Sequence, residues 1–176
     1  MSKALNTAVR EVLVRKIAAR LDFLFPPPLP PCLNSSSPFQ FLCAVVLSAQ
    51  TTDGKVNAVT DELFKIGGDP YTMSAIPTEV IASTIKTLGL SQAKARYLKG
   101  LSEMIVKDFM GSVPETLQSL MKLPGVGRKT ASVVISQVHG QNAFPVDTHI
   151  HRVALRLGFT SEKTNADKVL IYFCKT

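Results

Sequence analysis

The feature that most limits what this chain can fold into is a proline run. "FPPPLPPCLNSSSP", residues 25–38, holds five prolines within residues 26–31. Proline lacks a backbone N–H and fixes φ, so neither a helix nor an inner strand can pass through such a run. It reads as a linker, with polyproline II as its local form. A ligand for a proline-binding domain is the sharper alternative, and a stiff connector is the plainer one. The chain therefore divides into an N-terminal helix at 1–24, a Pro/Ser-rich linker at 25–37, a main body at 38–160 and a terminal segment at 161–176.

Residues 4–21 repeat apolar groups at Leu5, Val9, Val12, Leu13 and Ile17, with Arg10, Arg15 and Arg20 elsewhere. This is the stripe of an amphipathic helix. Helical signatures continue past the linker. Pro38 to Ser48 is strongly apolar. Asp53 is a candidate cap for a helix carrying Val56, Val59, Leu63 and Ile66, stopped by Gly67 and Gly68. Pro77 suits the first turn of a helix through Ile81 and Ile85. Ser91 is a candidate cap for one through Leu98, Leu101 and Ile105. Pro114 opens a short helix ending near Lys122. Two more follow at 128–138 and, after Asp147, at 148–157. No segment alternates as a half-buried strand would. The expected fold class is all-α with short connections.

Composition adds a direction. Hydrophobic residues make up 45% of 176, enough for a real core, and the net charge is +7. That excess points to a polyanion such as nucleic acid. No apolar run reaches membrane-spanning length. Charges run through residues 1–22, which argues against a secretory signal. The segment is basic and amphipathic, so a surface helix and an organelle transit peptide both fit, the former better because serine is scarce. The expected location is an intracellular compartment that contains DNA, with a monomeric chain and no membrane partner.

"LPGVGRKTA", residues 123–131, joins two helices through a glycine hairpin. Glycine permits positive φ and lets the backbone approach a ligand closely. The helix that follows presents N–H groups and a positive dipole end, which suits a phosphate. A tight connection that needs glycine for geometry alone is the other reading. A P-loop is excluded because Arg128 stands where its second glycine belongs. The dinucleotide fingerprint fails at Thr130, with no strand before it. Lys129 is oddly placed, since a helix N-terminus disfavours an ammonium. Either it is a solvated surface charge, or the misfit is useful because the free amine is the form that attacks carbon.

Asp147, in "FPVDTHIHRVALRLGF", stands at a helix start. It is expected to cap that helix, and it could also accept a proton or stabilise positive charge on a reacting sugar. His149 and His151 fall on different helix faces with no third ligand evident, so no metal site is expected.

Four stretches now stand in order: "LSAQTTD" (47–53), "IKTLGLSQAKA" (85–95), "LPGVGRKTA" (123–131) and "VDTHIHRV" (146–153). Together they resemble the endonuclease III family of helix-hairpin-helix DNA glycosylases, in the HhH-GPD superfamily. The likeness runs from about Ser36 to about Gly158. It implies a two-lobed all-α fold with double-stranded DNA in the cleft. It also implies base excision repair by a bifunctional glycosylase and apurinic/apyrimidinic lyase. By position, Lys129 would be the amine nucleophile and Asp147 the essential carboxylate. Gln50 and Leu90 would fill the gap left by an extruded nucleotide. Gly125, Gly127 and Arg128 would hold the DNA backbone, and the hairpin carbonyls allow a monovalent cation. Lys94, Lys99 and Arg128 are candidates for a basic face.

Members of this family usually carry four cysteines, Cys-x6-Cys-x2-Cys-x5-Cys, that ligate a [4Fe–4S] cluster. The three cysteines here, Cys32, Cys43 and Cys174, do not form that pattern. The expectation is a C-terminally truncated member with the iron–sulfur region absent and no cofactor in this chain. The stripe of Leu5, Val9, Leu13 and Ile17 would then lack its usual partners.

Three rival readings remain. A non-catalytic helix-hairpin-helix module would not need Lys129 or Asp147. A monofunctional adenine-mismatch glycosylase does not usually place lysine at that position. An 8-oxoguanine glycosylase uses lysine, but "LSAQTTD" is more like endonuclease III. Oxidised pyrimidines such as thymine glycol are the family's default substrates.

Overall fold

A computed structural model describes residues 7–26, 32–143 and 145–160. Among these residues the secondary structure is helical, with no strand. The chain groups into two compact units, one of Cys32–Pro145 and one of Met1–Pro31 with Val146–Thr176. The boundary at 145/146 falls inside the segment read above as one domain. Residues 27–31 of the proline run and Cys174 lie outside the described residues.

The N-terminal helix α1 (Thr7–Leu24) has no part in the larger unit, whose first helix is α2 (Pro38–Leu47). Ser37 caps α2, its Oγ accepting the Gln40 N–H at 3.2 Å, and Pro38 takes the first turn, where a missing N–H costs little. Leu42 through Leu47 are all buried. A helix apolar on every side belongs in the middle of a core, and α2 packs against α3 (Asp53–Ile66), α6 (Ser91–Phe109) and α8 (Arg128–His139). Cys43 is fully buried there, and burial pushes its thiol far above the ordinary range.

Several helix starts differ from the expected ones. Thr52, not Asp53, occupies the cap of α3; Asp53 sits inside the first turn, where its charge complements the dipole. Helix α4 (Pro70–Ala75) is too short to show a period in the sequence. It starts at a capping box: Asp69 Oδ1 accepts the Tyr71 and Thr72 N–H groups at 2.9 and 3.0 Å, and Thr72 Oγ1 accepts the Asp69 N–H at 3.3 Å. The Thr72 N–H, foremost, holds the Asp69 carboxyl below the usual carboxylate range. Pro77 is the cap of α5 (Thr78–Thr84) and not part of its first turn. Ser91 does not cap α6; Leu90 takes that position, in a left-handed conformation with φ 60°. Thr116, not Pro114, begins α7 (Leu117–Leu120), its Oγ1 accepting the Ser119 N–H at 3.2 Å.

The core of this unit includes Leu63, Met73, Ile81, Ile85, Leu98, Leu101, Ile105, Leu120 and Val134, all fully buried. Each such side chain is worth roughly 1.5–3 kcal/mol in transfer from water. These residues fix α7 and α8, which flank the hairpin, and α6, which packs against it.

The second unit holds α1 (Thr7–Leu24) and α9 (Thr148–Arg156). Ala154 and Phe159 are buried, and Leu13, Ile17, Val146 and Leu157 pack against them. Leu13 and Ile17 of the α1 stripe thus meet an apolar surface supplied by α9 and the residues beside it. Val9 is exposed, and Leu5 lies outside the described residues. No helix among the described residues is long and apolar enough to cross a membrane.

Candidate nucleic-acid interface

The hairpin is built from a tight turn between α7 and α8. The Val126 N–H donates to the Leu123 carbonyl at 3.1 Å, and Gly125 lies at φ 76°. With Pro124 second and glycine third, this is a type II turn, which requires positive φ at its third residue. Leu123 and Val126 are buried and anchor the turn to the core. A Cβ on Gly125 would stand 2.7 Å from Tyr97 Cγ, so glycine is needed there for packing as well as for φ.

Gly127 differs. Its φ is −87°, and an added Cβ would meet nothing within 4 Å. The positive-φ role expected of both glycines belongs to Gly125 alone. Gly127 caps α8 and has no side chain to cover the N–H groups of the first turn. The surface above it is open, as an approaching phosphate requires. Arg128 and Lys129 form the exposed first turn of α8.

Helix α6 supports this turn from below. Tyr97 lies against Gly125, and a Cβ on Gly100 would come within 3.2 Å of Pro124 Cγ. The same helix begins at Leu90, which is 64% exposed, so packing in the core does not explain it. Gln50 follows α2 in a turn and is also exposed and left-handed, at φ 55°. Non-glycine residues in this conformation cost about 1–3 kcal/mol and cluster at functional sites. Among the described residues only Gln50, Leu90 and Met110 adopt it. Met110 has a structural reason: it ends α6, where the Gly111 N–H closes on the Ile105 carbonyl at 3.0 Å.

Lys94 is 3% exposed, and its Nζ donates to Thr51 Oγ1 at 2.6 Å. Burial pushes its ammonium below the ordinary lysine range. Lys99 Nζ donates to the carbonyls of Ser74 and Ile76. Of the candidates for a basic face, Lys94 and Lys99 are thus engaged within the fold.

Asp147 belongs to the second unit, and Lys129 to the first. Asp147 caps α9 as expected: its Oδ1 accepts the His149 and Ile150 N–H groups at 3.0 and 2.8 Å. His149 Nδ1 lies 3.3 Å from the Arg152 guanidinium. Among the described residues no group of three or more His, Cys, Asp or Glu could hold a metal ion.

Residues 43–174 match the family model of the HhH-GPD superfamily base excision DNA repair proteins. The chain belongs to this superfamily. Endonuclease III of Bacillus subtilis (strain 168) is 46% identical over 137 residues, which are 78% of this chain and 63% of that protein. Endonuclease III of Escherichia coli (strain K12) is 42% identical over 137 residues, 78% of this chain and 64% of that protein. The chain thus spans just under two thirds of the length of these relatives. The solved structure of a trapped endonuclease III–DNA covalent intermediate aligns at a TM-score of 0.87 and 40% identity, over 93% of this chain and 76% of that one. A thermostable thymine-DNA glycosylase aligns at 0.79 and 28%, over 94% and 76%. The all-α helix-hairpin-helix glycosylase fold read from the four motifs is the observed one.

Sequence reasoning missed Thr51, Lys94, Tyr97 and Gly100 as parts of the site's support. A signal existed for Gly100 alone, which interrupts an otherwise good helix-former pattern.

Proposed function

We propose that this chain is a DNA glycosylase with apurinic/apyrimidinic lyase activity, acting in base excision repair on double-stranded DNA that carries oxidised pyrimidines. The observation that carries the reading is Lys129, exposed in the first turn of α8 directly after an open glycine turn. The endonuclease III neighbour is a trapped covalent intermediate with DNA, which supports a covalent step.

In this reading the hairpin and Arg128 take a backbone phosphate, which positions the duplex without reading sequence. The target nucleotide leaves the stack at a cost of a few kcal/mol. Leu90 wedges into the gap, and Gln50 offers hydrogen bonds to the orphaned base. The Lys129 amine forms a bond to sugar C1′ as the C1′–base bond breaks, and the base departs with its electron pair and takes up a proton. Asp147 stabilises positive charge on the sugar. The nitrogen gives up a proton, the C1′–O4′ bond breaks with O4′ taking up a proton, and the protonated imine so formed acidifies the C2′ protons; loss of one expels the 3′ phosphate. Hairpin carbonyls would hold a monovalent cation if one binds; the loop has no carboxylate, and a carbonyl already engaged keeps a second lone pair. No step passes through it. The chain would act as a monomer, in a compartment that holds DNA.

The test is a panel of duplexes, each with one lesion. Base release and a 3′ nick on a thymine glycol duplex are expected, with an undamaged duplex left intact. Binding without release on every lesion would favour a non-catalytic helix-hairpin-helix module.

A further inference from the structure

Gln50 and Leu90 lie forty residues apart in sequence, yet one residue joins the two turns that carry them. The Lys94 backbone N–H donates to the Leu90 carbonyl at 2.9 Å. Its side chain reaches the other way, with Nζ 2.6 Å from Thr51 Oγ1. The Thr51 hydroxyl donates onward to the Ala49 carbonyl at 3.4 Å, and the Thr51 N–H donates to the Ser48 carbonyl at 3.0 Å. Ala49 and Thr51 are the two neighbours of Gln50, so this chain of bonds brackets its left-handed backbone. No carboxylate accepts from Lys94 among the described residues. A buried cation without a counter-ion is costly, and an apolar side chain of similar length would pack more cheaply. A purely structural role explains that choice poorly.

We propose that Lys94 is a positioning residue: with Thr51 it forms a strut that holds the Gln50 and Leu90 turns in fixed register, so that both enter the duplex together. The inference rests on the assignment of Gln50 and Leu90 as gap-filling residues. Lys94 touches no DNA in this scheme. It acts through the left-handed turns on either side, which an untied chain would leave by relaxing to ordinary φ.

The experiment uses a duplex with 2-aminopurine beside an abasic-site analogue, where extrusion and unstacking raise fluorescence. Lys94→Met keeps the stem and removes the amine; Thr51→Val removes the acceptor; Thr51→Ser keeps it. Lys94→Met and Thr51→Val should each lower the equilibrium for extrusion by about tenfold, the scale of one charge-assisted hydrogen bond. Thr51→Ser should retain the parent signal, and melting should report a folded protein in every case. Adding Lys94→Met to a Gln50→Ala, Leu90→Ala double variant should cause little further loss, because the strut then has nothing to position. If Gln50→Ala and Leu90→Ala leave the signal unchanged, the gap-filling assignment itself falls. If those variants lose signal while folded Lys94→Met keeps it, the strut is overturned and the assignment stands. A loss in Lys94→Met that is fully additive with the double variant would also overturn the strut.

Discussion

At the residue scale, the two hairpin glycines predict different failures. Gly125→Ala forces a Cβ into the Tyr97 ring and an L-residue into positive φ. The conformational part alone costs roughly 1–2 kcal/mol, so denaturant melts should show a clear loss of stability. Gly127→Ala meets open space. It should cost no more than about 1 kcal/mol of stability, because alanine is a poorer N-cap than glycine, while weakening binding to all duplexes alike. Competition titrations with several sequences check this, and loss on one sequence only would contradict a phosphate role. Sequence inspection treats the pair as equivalent because neighbour contacts, not residue type, distinguish them. Asp147 shows the same limit. Its capping role was legible from "VDTHIH", and the bonds that its Oδ1 accepts from the His149 and Ile150 N–H groups bear it out. Asparagine is an equally good cap, so Asp147→Asn should keep the fold and duplex binding but slow base release. Equal rates in single-turnover assays would remove the carboxylate from the chemistry.

At the element scale, the long helices were legible because three or more turns display a period. Helix α4 was not: six residues show none, and its capping box, Asp69 to Thr72, has threonine where glutamate or glutamine is the usual signature. Asp69→Ala should cost about 1 kcal/mol, the usual worth of such a cap. The Asp69 carboxyl sits lower in the folded chain than in the unfolded one. Its contribution is therefore complete above the unfolded value near ~3.9 and is lost as pH falls through the folded value. The stability difference between parent and Asp69→Ala should shrink in acid. Lys94 on α6 behaves oppositely. Its ammonium is disfavoured by burial, so between its lowered folded value and ~10.4 the unfolded chain binds more protons. Stability of the parent relative to Lys94→Met should rise with pH through that window; a flat difference would place the amine in water. Nothing in "QAKARYL" distinguishes a buried lysine from a solvated one. Only the fold brings Thr51 beneath it.

At the scale of the whole molecule, the basic balance was legible as a sign but not as a surface. Of the +7 net charge, Lys94 contributes from a buried position, and Lys99 is half-buried, bonded to the Ser74 and Ile76 carbonyls and 3.7 Å from Glu103. Lys99→Met should thus lower the melting temperature with the salt dependence of binding unchanged. Arg128→Ala should reduce the log–log salt slope by about 0.9, the value for one duplex phosphate contact. The division into units was only half legible. The proline run marks one boundary in the sequence. The other, at 145/146, follows from α9 finding its apolar partners on α1, which no local pattern announces.

The central claim is that Lys129 becomes covalently bonded to the sugar. Borohydride reduction of the protein with an abasic-site duplex, followed by peptide mass mapping, tests it most directly. A stable one-to-one adduct on Lys129, absent from a folded Lys129→Gln variant, is the predicted result. An equal yield of adduct from Lys129→Gln, or an adduct mapped to another amine, would contradict the assignment.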